Sequence, residues 1–162
     1  MEDVHKERWV KLNAFIAQLS EAYTLHHEFR DDAKPIAWPL RGLDVMREAI
    51  ESREHPPETL IGSGSLQAAC MWFIYASGRM WANVQGREPC GHVGHVEPRG
   101  IFDMPPGTRW EGKRWTGFCR ERWDIWRKRL NDASAACTDA DSEMKALIEE
   151  ALGQMERVMG DC

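Results

Sequence analysis

The fold is decided by residues 62–86, which read GSGSLQAACMWFIYASGRMWANVQG. Glycine and serine open this stretch, and a serine side chain commonly accepts the first free N–H groups of a helix. The apolar residues that follow surround the helix axis on nearly every side. Such a helix is buried, because none of its sides suits water. We therefore predict a helix over residues 65–86 at the centre of the protein.

Four further segments repeat apolar side chains every three or four residues, the spacing that is typical of one helix face. The second of the resulting five helices stops before Pro56-Pro57, and the last begins near Thr138 with acidic residues that suit the helix dipole. Strand-like alternation is not found. The sequence therefore predicts an all-α fold, a single-domain bundle of about five helices over residues 1–162. The predicted helices cover residues 5–25, 35–54, 65–86, 117–134 and 139–159.

A long irregular loop is predicted over residues 87–115, between the third and fourth helices, because prolines and glycines are frequent there. Loops of this length are often functional. His92 and His95 stand in it beside one cysteine and two glutamates, and all of these side chains bind transition metals. Their spacing matches no standard motif, and a mobile glycine-rich loop is the plainer interpretation. We therefore assign no metal site. A metal-dependent enzyme that uses His92 and His95 is the least favoured of three functional hypotheses.

The net charge, the N-terminus and the cysteines limit which classes of protein this chain can belong to. The chain has 162 residues, a net charge of −5 and an isoelectric point near 5.7. An acidic protein lacks the basic surface that attracts phosphate backbones and anionic lipids. The charged N-terminus has no apolar signal core, and the five scattered cysteines are typical of a reducing compartment. We expect a cytoplasmic protein that binds no nucleic acid and no membrane.

Motifs of two common enzyme classes are missing from the sequence. Neither the G-x-S-x-G turn of hydrolases nor the G-x-x-x-x-G-K-[ST] phosphate loop occurs. Cys119 stands at the start of a predicted helix, where the dipole lowers a thiol pKa. Burial on the apolar stripe of that helix is the plainer interpretation, because free cysteine is usually buried. The sequence predicts no cofactor.

Four phrases, each containing tryptophan, follow one another along the chain. They are WVKLNAF at residues 9–15, AWPLR at 37–41, AACMWFIYASG at 68–78 and GFCRERWDIWRKR at 117–129. These phrases resemble the C-terminal half of an uncharacterised helical family of filamentous fungi, domain of unknown function 3632. The resemblance implies an α-helical fold and a fungal source, and it supplies no catalytic residue. Family members commonly carry further helices before the segment that matches Trp9, and one interpretation is that a partner subunit takes their place.

The eight tryptophans are the unusual feature of the composition. Core packing is the default explanation, but tryptophan also lines ligand pockets, because its large apolar ring carries one N–H donor. We predict a cavity for an apolar small molecule between the second, third and fourth helices. The predicted ligand-binding residues are Trp38, Arg41, Trp72, Tyr75, Trp123 and Trp126.

The first functional hypothesis places an apolar small molecule in this aromatic-lined pocket. It includes a cofactor-free isomerase or cyclase of fungal specialised metabolism, in which aromatic walls position the substrate and one acid or base moves a proton. The candidate catalytic residues are Glu121, Asp124 and His92.

The second hypothesis is a non-enzymatic interaction module. An exposed apolar face would make the chain a homodimer or dock it on another protein. The two hypotheses predict different structures. A large closed cavity favours a ligand site, whereas an apolar face open to solvent favours an interaction module.

Overall fold

A computed structural model describes residues 2–26, 38–54, 56–85, 106–113, 115 and 117–160. Two single 3-10 turns, Thr108–Trp110 and Asp139–Asp141, accompany the α-helices. The described residues contain no strand, so the all-α fold class is confirmed. The helices are α1 (Glu2–His26), α2 (Trp38–Ala49), α3 (Pro57–Leu60), α4 (Gly64–Gln85), α5 (Arg120–Ala136) and α6 (Ser142–Gly160).

The five predicted helices correspond to α1, α2, α4, α5 and α6, and two details differ from the prediction. The prediction for the second helix was wrong at its end, because α2 stops at Ala49 and not at residue 54. Just beyond this end, the carboxylate of Glu51 forms a buried ion pair with Arg122 of α5. The short helix α3 was not predicted. The predicted loop contains the turn Thr108–Trp110, and its residues 87–105 lie outside the described part of the chain.

The central position predicted for the third helix is confirmed, because α4 packs against α1, α2, α5 and α6. Side chains on several sides of α4 are fully buried, among them Leu66, Cys70, Trp72 and Phe73. A surface helix buries one stripe, whereas α4 buries most of its circumference. The other four long helices therefore share one core that is built around α4.

Helices α1 and α4 lie side by side and run in the same direction. The buried amide of Asn13 accepts the indole N–H of Trp72 at 3.1 Å. About two helical turns further along, the Glu21 carboxylate accepts the backbone N–H of Arg79 at 3.1 Å. These bonds fix both the rotation and the register of α1 against the central helix.

A kink at Ala76, with φ −133° and ψ 19°, interrupts α4. A break in a helix leaves N–H groups without their usual carbonyl partners at the start of the next segment. Glu21 of α1 accepts one of them, from Arg79. Gly78 makes room for this carboxylate, because a Cβ atom there would lie 2.9 Å from Glu21 Oε1. The kink is thus stabilised by the neighbouring helix.

Gly42 lets α2 approach α4 closely. A Cβ atom at this position would lie 2.7 Å from Cε3 of the buried Trp72 ring. Real Cβ atoms are not found at such a distance, and Trp72 cannot move aside because its N–H is bonded to Asn13. Glycine at position 42 therefore sets the distance between the two helices.

We expect Gly42→Ala to destabilise the protein by about 1–3 kcal/mol, the usual cost of overfilling a packed core. Gly153 is the matched control, because it also lies within a helix but a Cβ atom there would meet nothing within 4 Å. Gly153→Ala should stabilise the protein by about 0.5–1 kcal/mol through its better helix propensity. Urea unfolding of both variants measures these changes. Equal effects from the two substitutions would contradict the close approach.

Candidate functional site

A buried carboxylate, Glu51, lies just beyond the end of α2 and is fully inaccessible to solvent. Its Oε1 accepts the N–H of Arg122 Nε at 2.5 Å and of Trp126 Nε1 at 2.7 Å. Its Oε2 accepts Arg122 Nη2 at 2.9 Å and the backbone N–H of Gly107 at 2.7 Å. All four bonds come from elsewhere in the sequence, so one side chain joins α2 to α5 and to the segment before it.

The partner of this carboxylate, Arg122 of α5, is also fully buried. Its guanidinium forms a two-point contact with Glu51, the strongest geometry for such a pair. Its Nη1 donates to the carbonyl of Gly117 at 2.8 Å. Burial of two charges is costly unless they are paired and their remaining hydrogen-bonding groups are satisfied. The pair meets this condition and functions as a structural element of the core.

The chain from residue 106 to 113 is tied to the residues that follow α2. Besides the Gly107 bond, the backbone N–H of Arg109 donates to the Glu51 carbonyl at 3.0 Å. The Thr108 hydroxyl accepts the N–H of Arg53 at 2.9 Å. A Cβ atom on Gly107 would lie 2.5 Å from Glu51 Cβ, so this contact requires glycine. Residues 107–109 of the predicted loop are therefore fixed to the core.

The predicted aromatic residues of α5 do pack against the central helix. The rings of Trp123 and Trp126 lie 5.7 Å and 6.0 Å from that of Phe73 and 6.2 Å from each other, with steep angles between their planes. These are the separations of ordinary packed aromatic pairs. Trp72 instead contacts Asn13 and Gly42. The tryptophans thus form part of a core that is filled by its own side chains.

Trp81 and Trp123 differ from the other tryptophans in their hydrogen bonding. The indole N–H groups of Trp72, Trp115 and Trp126 each have an acceptor. Those of Trp81 and Trp123 are buried and have none among the described residues, and their rings lie 5.1 Å apart. These two N–H groups are polar atoms of the aromatic cluster for which the described residues supply no acceptor.

The candidate catalytic carboxylates lie on a different side of α5. Glu121 accepts bonds from Lys113 Nζ at 2.9 Å and Trp115 Nε1 at 2.8 Å, and Asp124 accepts Arg120 Nε at 3.1 Å. Residues three apart on a helix share a face, so Glu121 and Asp124 both point to solvent while Arg122 and Trp126 point inwards. The bonds from Lys113 and Trp115 lower the pKa of Glu121. An ionised, exposed carboxylate is a poor proton donor at neutral pH.

The remaining predicted site residues are scattered. The guanidinium carbon of Arg41 lies 4.7 Å from the centroid of the Trp9 ring, and Tyr75 is 39% exposed. The side chain of Trp38 and the whole of His92 lie outside the described part. The structure therefore brings together Trp123 and Trp126 but leaves Arg41, Tyr75, Glu121 and Asp124 apart from them. Whether these residues act in a site stays a prediction.

Two of the open clefts on the described surface are not lined by the aromatic cluster. The larger, of about 670 Å³, lies between the start of α1 and the start of α4. The smaller, of about 420 Å³, lies beside the end of α2 and the turn at Thr108. Charged and small polar side chains line most of both clefts. Their chemistry does not suit the apolar ligand that the tryptophans suggest.

Thiol and metal chemistry find little support among the described residues. Burial raises the pKa of Cys70 to about 12, and burial also raises the pKa of Cys119 despite its place at the start of α5. A raised pKa lowers the fraction of nucleophilic thiolate. No group of three or more metal-binding side chains occurs in the described ranges. The His92 and His95 loop lies outside them.

An apolar surface is found on the outer side of α1. Four large apolar side chains are exposed in the described part of the chain, and three of them, Val4, Leu12 and Phe15, lie on this helix. Val4 and Leu12 are 50% exposed and Phe15 is 57% exposed. Half-buried Leu19 continues the same side, since it follows Phe15 by four residues. We call Val4, Leu12, Phe15 and Leu19 the α1 face.

We expect Glu51→Gln to destabilise the protein by about 3–5 kcal/mol, because it leaves the Arg122 charge buried without a counter-ion. Asp132→Asn is the matched control, since Asp132 binds Lys128 at 2.9 Å at the surface, where such pairs contribute at most about 1 kcal/mol. Urea unfolding gives both values. A small loss in Glu51→Gln would mean that the pair is not a structural centre.

Protonation of Glu121 should release the indole of Trp115. Because its folded pKa is lowered, the stabilising bonds of Glu121 are present above its ordinary pKa of 4.5 and are lost as the pH falls through a lower value. The indole N–H signal of Trp115 in NMR spectra should therefore titrate with a midpoint below 4.5. Glu121→Gln should abolish this titration. A midpoint at or above 4.5 would show that the two bonds do not persist in solution.

Comparisons with known proteins add one finding to this geometry. None of the curated proteins and none of the solved structures matches the chain. No helix of the described part is long and apolar enough to cross a membrane. The family described as "Protein of unknown function (DUF3632)" matches residues 2–130, which include α1 to α4 and most of α5. The chain therefore belongs to the DUF3632 family.

Proposed function

We propose that the chain is a non-enzymatic interaction module, which binds an amphipathic helix of another protein molecule against the α1 face. The observation that carries the proposal is the clustering of exposed apolar side chains on α1. Single exposed apolar residues are common on any surface, whereas a contiguous group marks an interaction site. Phe15, at the middle of the face, is the largest of them and the most exposed.

The spacing of the α1 face suits a helix as its partner. Leu12, Phe15 and Leu19 are separated by three and four residues, which places them in one line along α1. Two helices that carry such lines pack by inserting the side chains of one between those of the other. Exposed Arg8 continues this line towards the N-terminus, four residues before Leu12, and Lys11 beside the line is paired with Glu7 at 2.6 Å. A partner helix therefore needs an apolar line with neutral or acidic flanks.

The opposite side of α1 keeps the face in place. Asn13, Ala17 and Ser20 are buried on that side, and Asn13 is bonded to Trp72 of the central helix. A partner then meets a helix that is already formed and oriented. Binding costs less when the surface is ordered beforehand. This arrangement supports docking more than the packed aromatic core supports a ligand cavity.

The proposal predicts that position 15 is covered in the working state of the protein. We expect the thiol of a Phe15→Cys variant to react with N-ethylmaleimide at least tenfold more slowly in intact cells than in dilute purified protein. Labelling is read peptide by peptide in a mass spectrometer. Cys70, whose pKa burial raises to about 12, serves as an unreactive internal reference.

Ala146→Cys is the matched control, because Ala146 is an exposed residue within the helix α6. Its thiol should react equally fast in cells and in dilute protein. Equal reactivity of the two thiols in cells would overturn the proposal. Protection of position 15 only in the membrane fraction would also overturn it, because the α1 face would then meet lipid and not a helix.

A further inference from the structure

We infer that the helix bound by the α1 face is α1 of a second copy of this chain, packed antiparallel about a two-fold axis close to Phe15. This inference rests on the proposed function and identifies the partner. Two identical chains most often associate through a two-fold axis, and the same surface must then complement itself. The α1 face has to meet this requirement both in its apolar residues and in its charges.

The apolar residues are self-complementary in the antiparallel orientation. Leu12 precedes Phe15 by three residues and Leu19 follows it by four, so the line is nearly symmetric about Phe15. With the axis at Phe15, the two phenyl rings meet each other and Leu12 of each copy lies opposite Leu19 of the other. Leu12, Phe15 and Leu19 are then each covered by a side chain of similar size, whereas Val4, nearer the N-terminus, lies outside this contact.

The charges distinguish antiparallel from parallel packing. Arg8 and Lys11 are exposed towards the N-terminal end of the face, whereas Gln18 and Ala22 at the other end are neutral. Parallel packing would place Arg8 against Arg8, which is repulsive, whereas the charge of Lys11 is already paired with Glu7 of its own helix at 2.6 Å. Antiparallel packing places each cation beside the neutral half of its partner. The two Arg8 positions are then roughly 21 Å apart along the axis, well beyond the screening length of physiological salt.

The size of the face limits the expected affinity. Stable interfaces usually bury about 800 Å² on each partner, with about 20–30 residues a side, whereas this contact centres on three side chains, Leu12, Phe15 and Leu19. We therefore expect a reversible dimer with a dissociation constant in the micromolar range and not a permanent one. The association must then depend on concentration, which gives it a clear signature in solution.

Sedimentation equilibrium of the full chain tests the inference. Between about 1 and 100 µM, the mass should rise from the monomer value of 18.6 kDa towards twice that value. Phe15→Glu should raise the dissociation constant at least tenfold, while Ala146→Glu, on the exposed side of α6, should leave it unchanged. Thermal unfolding of each variant shows that the fold is intact, since Phe15 is 57% exposed and contributes little to the core.

A charge exchange tests the orientation. Leu12→Lys and Leu19→Glu should each weaken the dimer, and the double variant should bind more tightly than either, because each new lysine meets a new glutamate of the other copy. The two positions are too far apart on one helix to pair within a chain. In a parallel dimer like charges would meet, so an additive loss in the double variant would overturn the antiparallel geometry.

The outcomes separate this inference from the proposed function. A chain that stays monomeric at every concentration while position 15 is protected in cells overturns the second copy as partner and leaves the interaction module standing. A dimer that Phe15→Glu does not weaken places the contact elsewhere and overturns the inference. A monomer whose position 15 is unprotected in cells overturns both.

Discussion

The buried pair of Glu51 and Arg122 is the constraint on which the rest of the structure depends. It lies where α2 ends and α5 begins, and it also holds the chain at Gly107 through a hydrogen bond of 2.7 Å. Replacing such a pair with apolar side chains is often neutral, so its contribution to stability is not the main point. Its contribution is specificity: two charges without water accept only one arrangement. The pair fixes which residues of α5 face inwards. Trp126, one helical turn after Arg122, therefore also faces the core.

The sequence predicts the helices well because helices leave a periodic pattern, and the central helix leaves the clearest one. It does not predict where α2 ends, since the pattern treats Glu51 as one more solvent-facing charge. The partner of Glu51 stands 71 residues away, and no local spacing reveals that. The one available signal is Arg122, which shares an i, i+4 face with the apolar Trp126. A charge on an apolar stripe of this kind indicates a buried partner.

The candidate site could be predicted only in part, for the same geometric reason. The sequence places Trp123 and Trp126 against the central helix, and the structure agrees. It also groups Glu121 and Asp124 with them, but residues adjacent in a helix point in different directions. Their carboxylates therefore lie on the solvent side, where they pair with cations. The chain presents its apolar character in two ways: a closed aromatic core and an open line of side chains on α1.

The separation of Glu51 and Arg122 along the chain also has a consequence during synthesis. A ribosome adds about 5–20 residues each second, so Glu51 emerges several seconds before the arginine that neutralises it. During that interval α3 and α4 are synthesised while most of α5 is still missing, so the carboxylate has no partner and has to remain in water. The core around Trp126 can close only when residues 107 and 122 have both arrived. The ion pair thus marks the moment when the nascent chain can join α2 to α5, while α6, which also contributes buried residues to the core, is still to be made.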